Sequence, residues 1–149
     1  MFFLRLFSFL FFFTTLGADA LAINPGELLK KARTLEGNGF LEEATQSWEK
    51  LTTVDTNLNF VIYAQLKLGI TYLKLKQFEK SIDILKTTTV SHPDNFDAHF
   101  SLANSLSAFK NFSEAIKPYK KTIALKPKEG LSYVGLGLSL FGNGDSESA

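Results

Sequence analysis

The sequence predicts an all-α fold, a solenoid of paired helices, and the leading observation is an internal repeat. Shifting the chain by 34 residues superposes like residues: Ala64 on Ala98, Leu68 on Leu102, Phe78 on Phe112, Ile82 on Ile116 and Pro93 on Pro127. Self-similarity at a fixed period of this size is typical of stacked supersecondary units, because a single unit cannot bury its apolar face alone. Such folds usually present binding surfaces rather than reaction centres.

Two further observations support paired helices. Small residues share two columns of the repeat: Gly69, Ala103 and Gly137 in the first, and Ser81, Ala115 and Ala149 in the second. Small side chains at a helix crossing let two backbones approach while the large neighbours interlock. A proline then closes the second helix of a pair, because its ring clashes with a continuing helix.

The first unit of the array is predicted to begin where helix-start signals cluster. Asn24 can cap a helix, and Pro25 suits its first turn. Gly37-Asn38-Gly39 predicts the end of that helix, since glycine tolerates the left-handed conformation found there. A second helix is expected over about residues 40–53, with Ala44, Trp48 and Leu51 on one face.

The same plan returns three times. The second unit is predicted to start at Ile62, after about three extra residues (59–61), with its helices ending near Lys76 and before His92. The third runs over about 96–129, and Pro118 inside its second helix should cost one backbone hydrogen bond and bend the helix. The fourth, over 130–149, lacks a second helix, and its first helix is apolar on several sides.

Residues 1–22 have the pattern of a secretory signal peptide. Arg5 precedes an apolar stretch from Leu6 to Leu16, and small residues follow, with cleavage expected after Ala22. The apolar stretch is short for a membrane-spanning helix, although an uncleaved anchor remains the alternative. We therefore expect an extracytoplasmic protein (periplasmic, lumenal or secreted) whose mature domain covers 23–149.

Composition argues against several functions. The chain has a net charge of +1, two histidines and no cysteine. A near-neutral domain predicts neither nucleic-acid binding nor, after signal cleavage, membrane binding. Without cysteine there is no disulfide and no thiol chemistry, and no cluster has metal-ligand spacing. The sequence thus predicts no catalytic residue, no cofactor and no metal site, and a protein that is not an enzyme.

In these features the chain resembles the tetratricopeptide repeat family, which has a 34-residue period and the pattern W-x2-L-G-x2-Y, A-x3-F and P. The matching segments are Gln65-x-x-Leu68-Gly69-x-x-Tyr72, Tyr133-x-x-Leu136-Gly137-x-x-Leu140, Ala44-x3-Trp48, Ser81-x3-Leu85 and Ala115-x3-Tyr119. The resemblance covers units of about 25–58, 62–95, 96–129 and 130–149. It implies a right-handed superhelix whose inner groove is lined by the first helix of each unit.

On this resemblance, one set of side chains is predicted to form the partner-binding groove: Arg33, Tyr63, Leu66, Ile70, Leu73, Phe100, Asn104, Val134, Leu138 and Phe141. We expect the groove to accept a hydrophobic peptide or an amphipathic helix, with Asn104 and Arg33 supplying specificity. The competing interpretation is that Leu66, Ile70 and Phe100 are buried between units.

The resulting functional prediction is an exported, non-catalytic scaffold that binds a protein or peptide partner. Two alternatives stay open. The repeats could be the N-terminal, substrate-docking part of a longer enzyme. They could also form a self-assembling structural element, in which the uncapped fourth unit makes a homo-oligomer.

Overall fold

The computed structural model describes residues 24–54 and 57–144. The predicted signal peptide and residues 145–149 lie outside the described residues. The described chain folds into helices alone: α1 (Pro25–Gly37), α2 (Leu41–Val54), α3 (Leu58–Lys74), α4 (Phe78–Ser91), α5 (Phe96–Ala108), α6 (Phe112–Leu125) and α7 (Gly130–Gly142). The predicted all-α fold is confirmed.

Asparagine starts most of the capped helices. The side chains of Asn24, Asn95 and Asn111 accept hydrogen bonds from backbone N–H groups in the first turns of α1, α5 and α6. These bonds satisfy donors that have no partner inside the helix. Gln77 occupies the repeat position of Asn111 but makes no capping bond to α4.

The turn that follows the first helix of each unit contains one residue in the left-handed conformation. Gly39 and Gly144 have φ values of +84° and +85°, and Lys76 and Lys110 have values of 58° and 62°. These four residues mark the same step of the repeat in every unit. Lysine adopts this conformation less readily than glycine, so the surrounding packing imposes it at the two central turns.

Helix α3 begins earlier than predicted. The sequence placed its start at Ile62, but the helix starts at Leu58, with Asn57 as its N-cap. The extra residues therefore lie in the first turn of α3. The asparagine cap, and not the 34-residue register of the repeat, sets the first residue of α3, because helix initiation depends on local capping.

Each helix packs mainly on its neighbours in the chain, and the first helices of successive units also touch, α3 with α5 and α5 with α7. The core forms two clusters. The first is centred on Trp48 and Leu68. The second is centred on Leu85, Leu106 and Tyr119. This sequential stacking is the arrangement of an α-solenoid.

The crossing of α3, α4 and α5 uses small polar residues. Ser81 Oγ donates to the carbonyl oxygen of Gly69 over 2.7 Å and lies 2.7 Å from Ser105 Oγ, and all three residues are buried. A Cβ on Gly69 would lie 2.5 Å from Leu85 Cγ. The small column therefore allows a close approach, as the sequence predicted.

Pro118 does not interrupt its helix. Helix α6 is continuous from Phe112 to Leu125, and Pro118 lies buried inside it. The proline removes one backbone donor, but burial of its ring in the core offsets part of that cost.

Candidate binding groove

The predicted groove residues lie on α1, α3, α5 and α7, the first helices of the four repeat units. On α3, Tyr63, Leu66, Ile70 and Leu73 are all half-buried. On α5, Phe100 and Asn104 are also half-buried. Side chains in this intermediate state contact the protein on one side and retain surface that a partner could cover.

The N-terminal part of this surface is built around Tyr63. Its ring meets Trp48 edge-on, with 5.8 Å between the ring centroids. The guanidinium carbon of Arg33 lies 5.2 Å from the centroid of the Tyr63 ring. Arg33 is itself exposed, so a cation–π contact holds a positive charge beside an apolar surface.

A network of two ion pairs lies between α1 and α3. The Glu36 carboxylate is 2.9 Å from Lys67 Nζ and 2.7 Å from Lys74 Nζ. Burial by itself raises the pKa of Glu36, but the hydrogen bonds and charges of Lys74 and Lys67 outweigh burial and hold the pKa below its usual value. The network could not be predicted from the sequence, because only the stacking of the units brings the acid and the two bases together.

The central part of the surface is aromatic. Phe100 stacks on Phe96 with 5.7 Å between centroids and meets Tyr119 edge-on at 6.3 Å. Lys126 Nζ lies 4.1 Å from the centroid of the Phe96 ring. Phe96 was not among the predicted groove residues, although its spacing of four residues from Phe100 places both on one helix face.

Asn104 is fixed by a tyrosine from the next helix. The Tyr119 hydroxyl donates to Asn104 Oδ1 over 2.7 Å. Burial raises the pKa of Tyr119, which keeps the hydroxyl protonated as a donor. Asn104 is thereby held in one position at the edge of the aromatic cluster.

The competing interpretation of the groove residues is partly supported by their packing. Leu66 and Phe100 both pack against the second core cluster, and Tyr63 packs against the first. Ile70 and Leu73 are not among the half-buried residues that pack on either cluster. Replacing either of these two side chains should therefore disturb the two core clusters less than replacing Leu66 or Tyr63.

Helix α7 is the most exposed part of the predicted groove. Val134, Leu138 and Phe141 are 59%, 64% and 70% exposed. A Cβ on Gly137 would meet no atom within 4 Å, whereas one on Gly135 would lie 2.3 Å from the Tyr119 ring. One face of α7 therefore packs on α6, and within the described residues the opposite face has no cover.

The described residues contain no group of three His, Cys, Asp or Glu side chains that could hold a metal ion. His99 Nε2 lies 3.0 Å from the Pro93 carbonyl oxygen, and His92 ends helix α4. Among the described helices, none is both long and apolar enough to cross a membrane.

Comparison with known proteins agrees with this architecture. Residues 63–95 match a family model described as tetratricopeptide repeat. The matched segment and the stacked helical pairs together define an α-solenoid of the tetratricopeptide type. A comparison with curated proteins finds no match.

Solved structures with a similar fold include several of MamA. One, titled as a crystal structure of MamA, is 27% identical with a TM-score of 0.75, and the match covers 83% of this chain and 71% of that one. A second, labelled AMB-1, is 24% identical with a TM-score of 0.75, covering 88% and 70%. A third, from Desulfovibrio magneticus RS-1, is 20% identical with a TM-score of 0.75, covering 84% and 69%. The fold supports a role in protein–protein interaction.

Proposed function

We propose that this chain is an exported scaffold that captures a hydrophobic peptide or an amphipathic helix on the surface formed by α3 and α5. The observation that carries the proposal is the set of half-exposed apolar side chains Leu66, Ile70, Leu73 and Phe100 on two helices in contact. Partners of this kind bury an apolar stripe in a groove, and affinity comes from the area removed from water.

Polar side chains at the edges of this surface supply specificity. Arg33 offers an exposed positive charge next to Tyr63. Asn104 is held in place by Tyr119. A guest with an apolar stripe and a carboxylate near its Arg33 end would match both features. The proposed role requires no catalytic group.

The experiment compares two aspartate substitutions. A photoreactive side chain at Leu73 captures the partner in cells, and the captured species is identified. Ile70→Asp should abolish capture while the circular dichroism spectrum and melting curve stay close to those of the parent. Val90→Asp, at a position 82% exposed on α4, should change neither capture nor folding.

Two results would contradict the groove. If Ile70→Asp unfolds the chain, the residue belongs to the core, because an unpaired charge is costly to bury. If capture survives Ile70→Asp, the partner binds elsewhere.

Export is proposed from the pattern of residues 1–22 and tested separately. Protein recovered from the extracytoplasmic fraction should begin at Ile23. Full-length protein confined to the cytoplasm would contradict export without affecting the groove.

A further inference from the structure

Basic side chains line one edge of the proposed guest surface, where α1 meets α3. The Arg33 guanidinium carbon lies 5.2 Å from the centroid of the Tyr63 ring. Three residues further along α1, the Glu36 carboxylate lies 2.9 Å from Lys67 Nζ and 2.7 Å from Lys74 Nζ. We call this set of charged residues the basic edge: Arg33, Glu36, Lys67 and Lys74.

The basic edge carries more positive charge than its own acid can balance. One arginine and two lysines stand against one glutamate, which leaves an excess of two positive charges (three minus one). Arg33 is exposed and the Lys74 side chain is 47% exposed, so both can be reached from solvent. An ammonium group has three donors, so Lys74 can bind the carboxylate of a guest while it stays paired with Glu36.

The basic edge lies beside the apolar part of the guest surface. Ile70 and Leu73 are placed between Lys67 and Lys74 on α3, and both are half-buried. A guest that covers these apolar side chains therefore brings one of its own flanks against the lysines. An acidic flank would be paired there, whereas a basic flank would be repelled.

The α5 side of the surface has no comparable excess of charge. Helix α5 contains one acidic residue, the exposed Asp97, and no lysine or arginine. Lys126 Nζ lies over the ring of the neighbouring Phe96, 4.1 Å from its centroid, and offsets the charge of Asp97. The difference between the two sides orients the guest, because its acidic flank is favoured next to α1 and not next to α5.

We infer that the guest of this surface is an acidic amphipathic segment, with carboxylates along one side of its apolar stripe that bind Arg33 and Lys74. The inference rests on the proposed function and adds the charge and the orientation of the partner. Arg33 and Glu36 are three residues apart, so the two positive sites are separated by about one turn of α1. Carboxylates three or four residues apart on a helical guest would reach both sites.

Three synthetic peptides of about 18 residues, long enough for about five helical turns, test the preference for acids. They share one leucine stripe and differ only in the flanking residues, which are Glu, Gln or Lys. Fluorescence anisotropy of the labelled peptides measures binding. The Glu peptide should bind at least about 10-fold more tightly than the Lys peptide at low salt, with the Gln peptide between them. Added salt should reduce the difference, because it screens charges at the surface.

Substitutions in the basic edge should act selectively on the Glu peptide. Arg33→Gln and Lys74→Gln should each weaken its binding by about 3–5-fold, as expected for one exposed ion pair, and leave the Gln peptide unaffected. Glu36→Gln removes the acid that competes for both lysines, so it should strengthen binding of the Glu peptide. A purely structural role of Glu36 would not produce that gain.

Lys117→Gln is the matched control, because it removes the same charge at an exposed position on α6. It should change the affinity for none of the three peptides. Circular dichroism of every variant checks that the fold is retained.

Equal binding of the three peptides, or tighter binding of the Lys peptide, overturns the inference. It is also overturned if the substitutions in the basic edge change the affinities for the Glu and Gln peptides alike. If Ile70→Asp abolishes binding of the Gln peptide but charge has no effect, the guest surface stands and its preference for acids falls. If none of the three peptides binds, the proposed function falls and the inference falls with it.

Discussion

Glu36 shows how one residue gains its role from the stacking of helices. Its side chain is 9% exposed and is paired with two lysines of the next unit. Tyr72 is a second example, because its hydroxyl donates to the Glu49 carboxylate of the preceding helix. Burial, reinforced by Glu49, raises the pKa of Tyr72 to about 12, so the hydroxyl remains a donor at neutral pH.

The ion pairs of Glu36 predict a pH-dependent stability. The pKa in the folded state is lowered from 4.5, so the stabilisation is present above that value and is lost as the pH falls through the folded-state pKa. Glu36→Gln should reduce the free energy of unfolding by about 1 kcal/mol at neutral pH. The difference from the parent should shrink in acid, as urea unfolding at about pH 7 and about pH 3 would measure.

Glu79→Gln is the control for this prediction, because Glu79 is an exposed acid on α4. Its effect should be smaller at neutral pH. A deficit in Glu36→Gln that persists undiminished in acid would show that the ion pairs do not cause it.

At the scale of the element, the two faces of α7 differ in how closely they are packed. Gly135 faces Tyr119, which is 3% exposed, and Gly137 faces open space. Glycine therefore allows a close contact at position 135. At position 137 it makes no such contact and only lowers the stability of the helix.

Alanine at these two positions should change stability in opposite directions. Gly135→Ala forces its Cβ into the Tyr119 ring and should cost about 1–3 kcal/mol. Gly137→Ala meets no atom and should stabilise the helix by about 0.5–1 kcal/mol through its higher helix propensity. Chemical denaturation of the purified variants gives both values. Equal effects of the two substitutions would refute the assigned orientation of α7.

At the scale of the whole molecule, each helix is stabilised mainly by packing on the helices next to it in the chain. Most helices pack mainly on those adjacent in the chain, and among the described helices α1 and α7 have such a neighbour on one side only. In such a linear array the terminal units open first.

Hydrogen exchange should therefore follow position along the array. Amides in α4 and α5 should exchange most slowly, and those in α1 and α7 should exchange faster by local opening. Native-state exchange followed by mass spectrometry of peptides measures this order. Uniform exchange rates across all helices would indicate that the array unfolds only as one unit.

The sequence predicted the fold well because its signals are local. Helical periodicity, asparagine caps and the small columns each act within a few residues or one helix crossing, and they are visible in the order of residues. The groove residues came from the resemblance to the repeat family, and they stay a prediction. The start of α3 was predicted wrongly, because a local cap at Asn57 acted one turn before the repeat register.

The candidate site was less predictable. The sequence could not separate Ile70 from Phe100, although only Phe100 packs against a core cluster. Burial depends on what the neighbouring unit contributes, and that contribution is not encoded near the residue itself.

By itself, then, the sequence determined that the chain would form paired helices in a repeating order. The tertiary structure decided that Glu36 would pair with two lysines and that Phe100 would stack on Phe96. It also decided that Val134, Leu138 and Phe141 would be exposed among the described residues. The physical reason is range: helix formation is set by neighbours in the chain, whereas exposure and charge pairing are set by neighbours in space.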